Sequence, residues 1–188
     1  MDRLLLLMTT TTYRASAFLE AARRLAVPVV VGSDRDQVLA GANPGGHLTL
    51  DFLAPEEASR AIAEFARRYP IRAVVSADDD GAILAAMAAA ALELPHNSVD
   101  AVAAARSKHR MREVLAAAGA PSPRFAVFSI DDDPGVVAGR VNFPCVVKPL
   151  FLSASRGVIR ANDPVEFVAA FHRLAAILRR PEVAAQGG

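Results

Sequence analysis

At 188 residues the chain is long enough for one generous domain or two small ones, each with a real core. Its 53% hydrophobic and 22% charged residues, with a formal net charge of +1, describe a globular composition whose field is too weak to recruit nucleic acid or an anionic membrane surface. No apolar run approaches the roughly 20 residues that span a bilayer, and the opening MDRLLLLMTTTT holds too short a run for the roughly 7–15 residues of a leader-peptide core.

The first half alternates short apolar strands with helical patterns, the signature of a parallel sheet covered by helices. LLLLM (4–8) reads as a continuous apolar strand. Behind it Ala15, Phe18, Leu19, Ala22 and Leu25 recur at helical spacing. VPVVVG (27–32) and HLTLDF (47–52) read as the next strands, with GANPGG (41–46) as a loop between them. APEEASRAIAEFARRY is a helix with Pro55 at its start and acidic residues in its first turn, and IRAVVSA (71–77) returns to strand. DDDGAILAAMAAAAL predicts a helix capped by Asp80 or a neighbour, since an aspartate at the N-cap contributes about 0.5–2 kcal/mol. A ligand or magnesium role for Asp78, Asp79 and Asp80, at the carboxyl end of a strand, is the functional alternative.

Residues 98–121 read as two short connecting helices, the second with Ser107 as N-cap and Gly119 and Pro121 as its stop. The expected division is therefore a Rossmann-like domain over 1–97, connecting helices over 98–121 and a second unit over 122–188. In that second unit RFAVFSI (124–130), FPCVVKPL (143–150) and GVIRA (157–161) are predicted strands. A last helix follows from Asp163, Pro164 and Glu166, which form a capping box, with Val168, Phe171, Leu174, Ala175 and Leu178 as its apolar stripe. The one cysteine, Cys145, has no intramolecular disulfide partner and cannot build a thiolate cluster; sheltered in a strand, it is expected to pack rather than react. That cysteine usage fits a reducing, cytoplasmic setting.

Two lysines carry the chemistry. Lys148 ends an apolar strand and precedes a turn of small residues, Ser153 to Gly157, an arrangement in which backbone N–H groups and one cation converge on a phosphate. An ordinary hairpin with a surface lysine would look similar. Lys108 heads a helix, where the macrodipole disfavours a cation unless an anion is bound. The alternative is a solvated helix start in which Arg106, Lys108, Arg110 and Arg112 face water. No Walker loop is present, and TTTTYR after the first strand lacks the glycines of a dinucleotide-binding turn; its threonines either cap the helix or receive a small anion. His47, His96, His109 and His172 share no metal-binding or relay spacing.

Taken in order, Lys108, GAPSP (119–123), PCVVKP (144–149) and SASRGV (153–158) resemble the ATP-grasp superfamily, including its carbamoyl-phosphate synthase, phosphoribosylglycinamide synthetase, biotin carboxylase and dipeptide-ligase branches. The strand–TYRASAFLEAARRL–strand segment looks like that superfamily's leading Rossmann-like domain. The resemblance implies an α/β fold: a parallel-sheet pre-ATP-grasp domain followed by a partial α+β lid subdomain. It also implies ATP contacted by Lys108, Lys148, Ser153, Ser155, Arg156 and Gly157. The implied partner is a small carboxylate, activated as an acyl phosphate for attack by an amine or similar nucleophile. The loop carries one glycine where many members have several, and the adenine clamp and the Glu and Asn ligands of magnesium are expected in a further segment. On this reading the chain is the front part of a ligase and by itself inactive; the alternative is a non-catalytic binding or interaction module on the same scaffold.

Overall fold

The computed structural model describes residues 3–36, 46–152 and 154–184, so most of the loop expected at 41–46, and Ser153, lie outside the described residues. Contacts divide the chain into two compact units, Met1–Ala103 and Ala104–Gly188.

In the first unit, β1 (Arg3–Leu7), β2 (Val29–Ser33), β3 (His47–Thr49) and β4 (Ile71–Ser76) form one parallel sheet in the order β3-β2-β1-β4. The run LLLLM serves two faces at once, because successive side chains of a strand point to opposite sides. Leu5 and Leu7 face a core shared with Val30, Ile62, Leu84 and Ala88, which brings α2 (Pro55–Arg68) and α3 (Ala82–Ala91) onto one side. Leu6 and Met8 face the other side, against Ala15 and Phe18 of α1 (Ala15–Arg24). Gly32 fits between these layers, since a Cβ built there would lie 2.6 Å from Leu7 Cδ2 and 3.0 Å from Leu50 Cδ1. The alanine-rich α3 is buried through Leu84, Ala86, Ala88 and Ala89, small side chains that allow close approach to the sheet.

Helix α4 (Val99–Arg106) runs across the division between the units. In the second unit, α5 (Lys108–Ala117) starts at Ser107, whose hydroxyl accepts from Arg110 N–H at 3.2 Å. It ends with Gly119 left-handed at φ +68°, and Ala120 N–H reaches back to Leu115 O at 2.9 Å, a Schellman closure of the last turn. The short helix α6 (Pro134–Ala138) is capped by Asp133. β5 (Cys145–Val147) and β6 (Ile159–Ala161) pair antiparallel, and α7 (Pro164–Leu178) packs on them before α8 (Pro181–Ala184).

Three expectations change here. Residues 124–130 form no strand and pair with neither β5 nor β6, so this sheet has two strands among the described residues. Phe128 lies against the α6–α7 core while Phe125 and Val127 stay exposed; an apolar alternation supplies a face but cannot supply the ladder partner that makes a strand. The stripe of α7 is also rotated: Phe167, Ala170, Phe171, Leu174 and Ala175 are buried, with Phe167 edge-on to Phe143 and tilted against Phe171, whereas Val168 and Leu178 are half-buried. The capping box is shifted too. Asp163 accepts from Glu166 N–H at 2.8 Å, but the Glu166 carboxylate reaches past the cap to Asn162 N at 2.8 Å. Among the described residues no helix is long and apolar enough to cross a membrane.

Candidate functional site

The order β3-β2-β1-β4 reverses direction at β1, so the carboxyl ends of β1 and β4 frame the crevice in which open parallel sheets seat ligands. The threonine run after β1 lies there. Thr12 Oγ1 donates to Asp78 Oδ1 at 2.7 Å, and Thr9 N–H lies 3.4 Å from Asp78 Oδ2. Thr10 N–H donates to Asp34 Oδ1 at 2.7 Å and its hydroxyl to Asp34 Oδ2 at 3.2 Å. Neither Asp78 nor a neighbour caps the helix that follows: the N-cap of α3 is Gly81, and no side-chain cap hydrogen bond forms there or at the 3₁₀ turn Asp79–Gly81. The Asp78 carboxylate turns toward the threonine donors instead. The threonines likewise do not cap α1, whose N-cap is Arg14 with no side-chain cap bond. Two carboxylates thus occupy donors that a bound anion would need. Asp34 was missed by the sequence reading; its signal was its place just after a strand, the same as that of Asp78.

The phosphate-type residues fall in the second unit. Lys148 follows β5 directly and is exposed. Cys145 and Val147 turn toward the α7 side, and Val146 and Lys148 toward the opposite side, with Val146 54% exposed. Arg160, opposite Val146 in the ladder, and Val158 are exposed as well. An apolar strip flanked by two cations therefore stays uncovered within this unit. Arg160 was not picked from the sequence, because only the antiparallel register places it beside Lys148.

Lys108 lies at the first residue of α5, and its ammonium donates to Leu152 O at 2.7 Å and Leu150 O at 3.3 Å, while its own N–H points at Leu150 O at 3.4 Å. Side chain and backbone of Lys108 together hold the chain two to four residues beyond Lys148. The turn then passes through Ala154 and Ser155 at φ +53° and +58° and Gly157 at φ +73°, with Ser155, Arg156 and Ala154 exposed. Left-handed residues that are not glycine store strain of about 1–2 kcal/mol each, commonly at ligand-binding turns. Ser155, Arg156 and Gly157 thus share the turn that Lys108 holds at its start; Ser153 lies outside the described residues.

Cys145 is half-buried on the α7 side of β5, and that burial raises its thiol pKa. A raised pKa lowers the thiolate fraction at pH 8, so alkylation by iodoacetamide, followed by mass spectrometry, is expected to run several-fold slower than for a short cysteine peptide. A rate equal to the peptide's would contradict the packed placement.

The family model of the ATP-grasp N-terminal domain matches residues 19–96. A D-alanine–D-alanine ligase of Stutzerimonas stutzeri is 30% identical over 98 residues, covering 52% of this chain and 31% of that protein. Among solved structures, an L-amino acid ligase from Bacillus licheniformis superposes with a TM-score of 0.65 at 22% identity, over 93% of this chain and 43% of that one. The biotin carboxylase domain of the Hydrogenobacter thermophilus 2-oxoglutarate carboxylase, solved with magnesium, ADP and bicarbonate, gives 0.59 at 14% identity, over 93% and 41%. The chain thus spans about a third of the length of the curated relatives it matches and less than half of these solved chains. Over residues 19–96 the chain is similar to the ATP-grasp N-terminal domain, and it shares the α/β fold of these ligase and biotin carboxylase structures.

Proposed function

We propose that the chain is the front part of an ATP-dependent ligase, with the β5–β6 unit acting as the lid over the nucleotide phosphates. The observation that carries this reading is the uncovered face of β5–β6, where Lys148 and Arg160 flank the exposed Val146 and Val158. Flat apolar area suits a nucleoside, and the cations and the backbone of residues 154–157 suit its phosphates. Lys108 adds charge at the start of the turn while holding it through Leu150 O and Leu152 O. Bound ATP would supply the phosphoryl group that turns a substrate carboxylate into an acyl phosphate, open to attack by an amine. Magnesium would accompany the nucleotide phosphates, with its Glu and Asn ligands expected in a further segment.

Charge-assisted hydrogen bonds of about 1.5–3 kcal/mol each, without a second wall for the base, give weak affinity, tenfold weaker for every ~1.4 kcal/mol forgone. A titration of the 188-residue chain with magnesium and ATP, followed by amide NMR, is expected to shift residues 146–148 and 154–160 with affinity no tighter than micromolar. K148A should weaken those shifts about tenfold or more. Shifts confined to the four-stranded unit, or unaltered by K148A, would overturn the reading.

A further inference from the structure

Lys148 lies one residue outside the strand ladder. β5 ends at Val147, opposite Ile159, and Lys148 follows with an exposed side chain. Its backbone is therefore held on one side by the ladder and on the other by whatever fixes residues 149–152. Leu152 is buried at 4% exposure, but Leu150 is 41% exposed, so its side chain is a poor anchor. The backbone supplies the hold instead. The Lys108 ammonium donates to Leu152 O at 2.7 Å and to Leu150 O at 3.3 Å, and the Lys108 N–H donates to Leu150 O at 3.4 Å. A cation at the first position of α5 is disfavoured by the helix dipole, and two carbonyl oxygens answer that charge. Hydrogen bonds from an ionised donor are stronger than neutral ones, so the ammonium is committed to the chain just beyond Lys148.

We propose that Lys108 is a positioning residue: by holding the carbonyls of Leu150 and Leu152 it fixes the place of Lys148, and its contribution to nucleotide affinity passes through Lys148. This inference rests on the reading of the β5–β6 face as the one that meets the phosphates. With the ladder at Val147 on one side and the Lys108 hydrogen bonds at Leu150 on the other, only Lys148 and Pro149 lie between two fixed points. A flexible lysine gains affinity when its backbone is already placed, because less ordering remains to be done on binding. An ammonium acting as a separate phosphate ligand would have to leave the Leu152 carbonyl at 2.7 Å, and the turn would lose its hold. The two roles differ in how Lys108 and Lys148 combine: a residue that acts through another adds little once the other is gone, whereas two separate ligands add their effects.

The test is a double-mutant cycle in the 188-residue chain, with magnesium and ATP titrated against the parent, K108M, K148A and K108M/K148A and followed by amide NMR. Methionine keeps an unbranched side chain of similar length and removes the donors. K108M is expected to lose about tenfold in affinity, and the double variant to stay within about twofold of K148A. Without nucleotide, K108M should move the carbonyl ¹³C resonances of Leu150 and Leu152 and the amide of Lys148, while β1 and β2 stay as in the parent. K108R, whose guanidinium can donate to both carbonyls, should recover affinity to within about threefold of the parent, which also serves if K108M melts early. A double variant that loses the product of the two single losses makes Lys108 a separate phosphate ligand, or a general support of the fold, and overturns the proposal. Unmoved Leu150 and Leu152 carbonyls in K108M, or no recovery in K108R, overturn it as well. A parent chain that does not bind ATP removes the nucleotide reading and this inference together, whereas an additive cycle removes this inference alone.

Discussion

Replacing Gly157 with valine is expected to unfold the second unit locally while leaving the four-stranded unit intact. At φ +73° the backbone is left-handed, and a Cβ built on it would lie 2.8 Å from Leu174 Cδ1 and 3.5 Å from Pro149 Cδ. The left-handed backbone costs a side chain about 1–2 kcal/mol and overpacking against a buried leucine about 1–3 kcal/mol, so a total near 3 kcal/mol is expected. Hydrogen exchange should show lost protection in β5, β6 and α7 together, with β1 and β2 unchanged. A contrasting substitution, Ala154→Gly at φ +53°, relieves strain and should leave stability level or raise it by up to about 1 kcal/mol. Protection equal to the parent's in Gly157→Val would show that the turn does not sit against Leu174.

The second large effect belongs to Leu7→Ala. Leu7 is fully buried in the core made with Leu5, Val30, Leu50, Ile62 and Leu84. The space it would vacate borders Gly32, which has no side chain to fill it, so collapse is poor. Leucine-to-alanine changes in such settings cost about 2–5 kcal/mol, and the upper half of that range is expected here. Leu7 also ends the strand from which the threonine run departs, and Ala77 N–H donates to Leu7 O at 2.8 Å. Loss of its side chain should therefore loosen the Thr12–Asp78 and Thr10–Asp34 hydrogen bonds before the sheet melts, read as faster exchange at Thr9 and Thr10 N–H in mild denaturant. Chemical denaturation showing a loss under about 1 kcal/mol would contradict the packing.

Burial explains why the two units differ in what they expose. β1 and β2 are flanked on both faces by helices, so apolar runs without alternation are stable there. Within its unit the β5–β6 pair is covered on one face only, and its other face alternates apolar and cationic residues, with Arg160 Nε donating to Asn162 Oδ1 at 2.9 Å. That face presents apolar area and positive charge side by side.

The alternation of apolar runs and helical periods, the caps at Ser107 and Asp163, and the stop at Gly119 were all legible in the sequence. Each depends on residues within a few positions of one another, where spacing fixes geometry. The place of Lys148 at the end of a strand, ahead of a small-residue turn, was legible for the same reason. Tertiary structure alone decided the rest. The cap expected of Asp80 or a neighbour did not form, the Asp78 carboxylate instead accepting from Thr12, 66 residues earlier, and Asp34 met Thr10 across two strands. Lys108 met the carbonyls of Leu150 and Leu152, more than 40 residues later. RFAVFSI stayed unpaired, and Phe167 took the core place expected of Val168. Whether a polar group caps a helix, holds a turn or answers another charge depends on which donors and acceptors folding brings within about 3 Å, and chain separation carries no record of that distance.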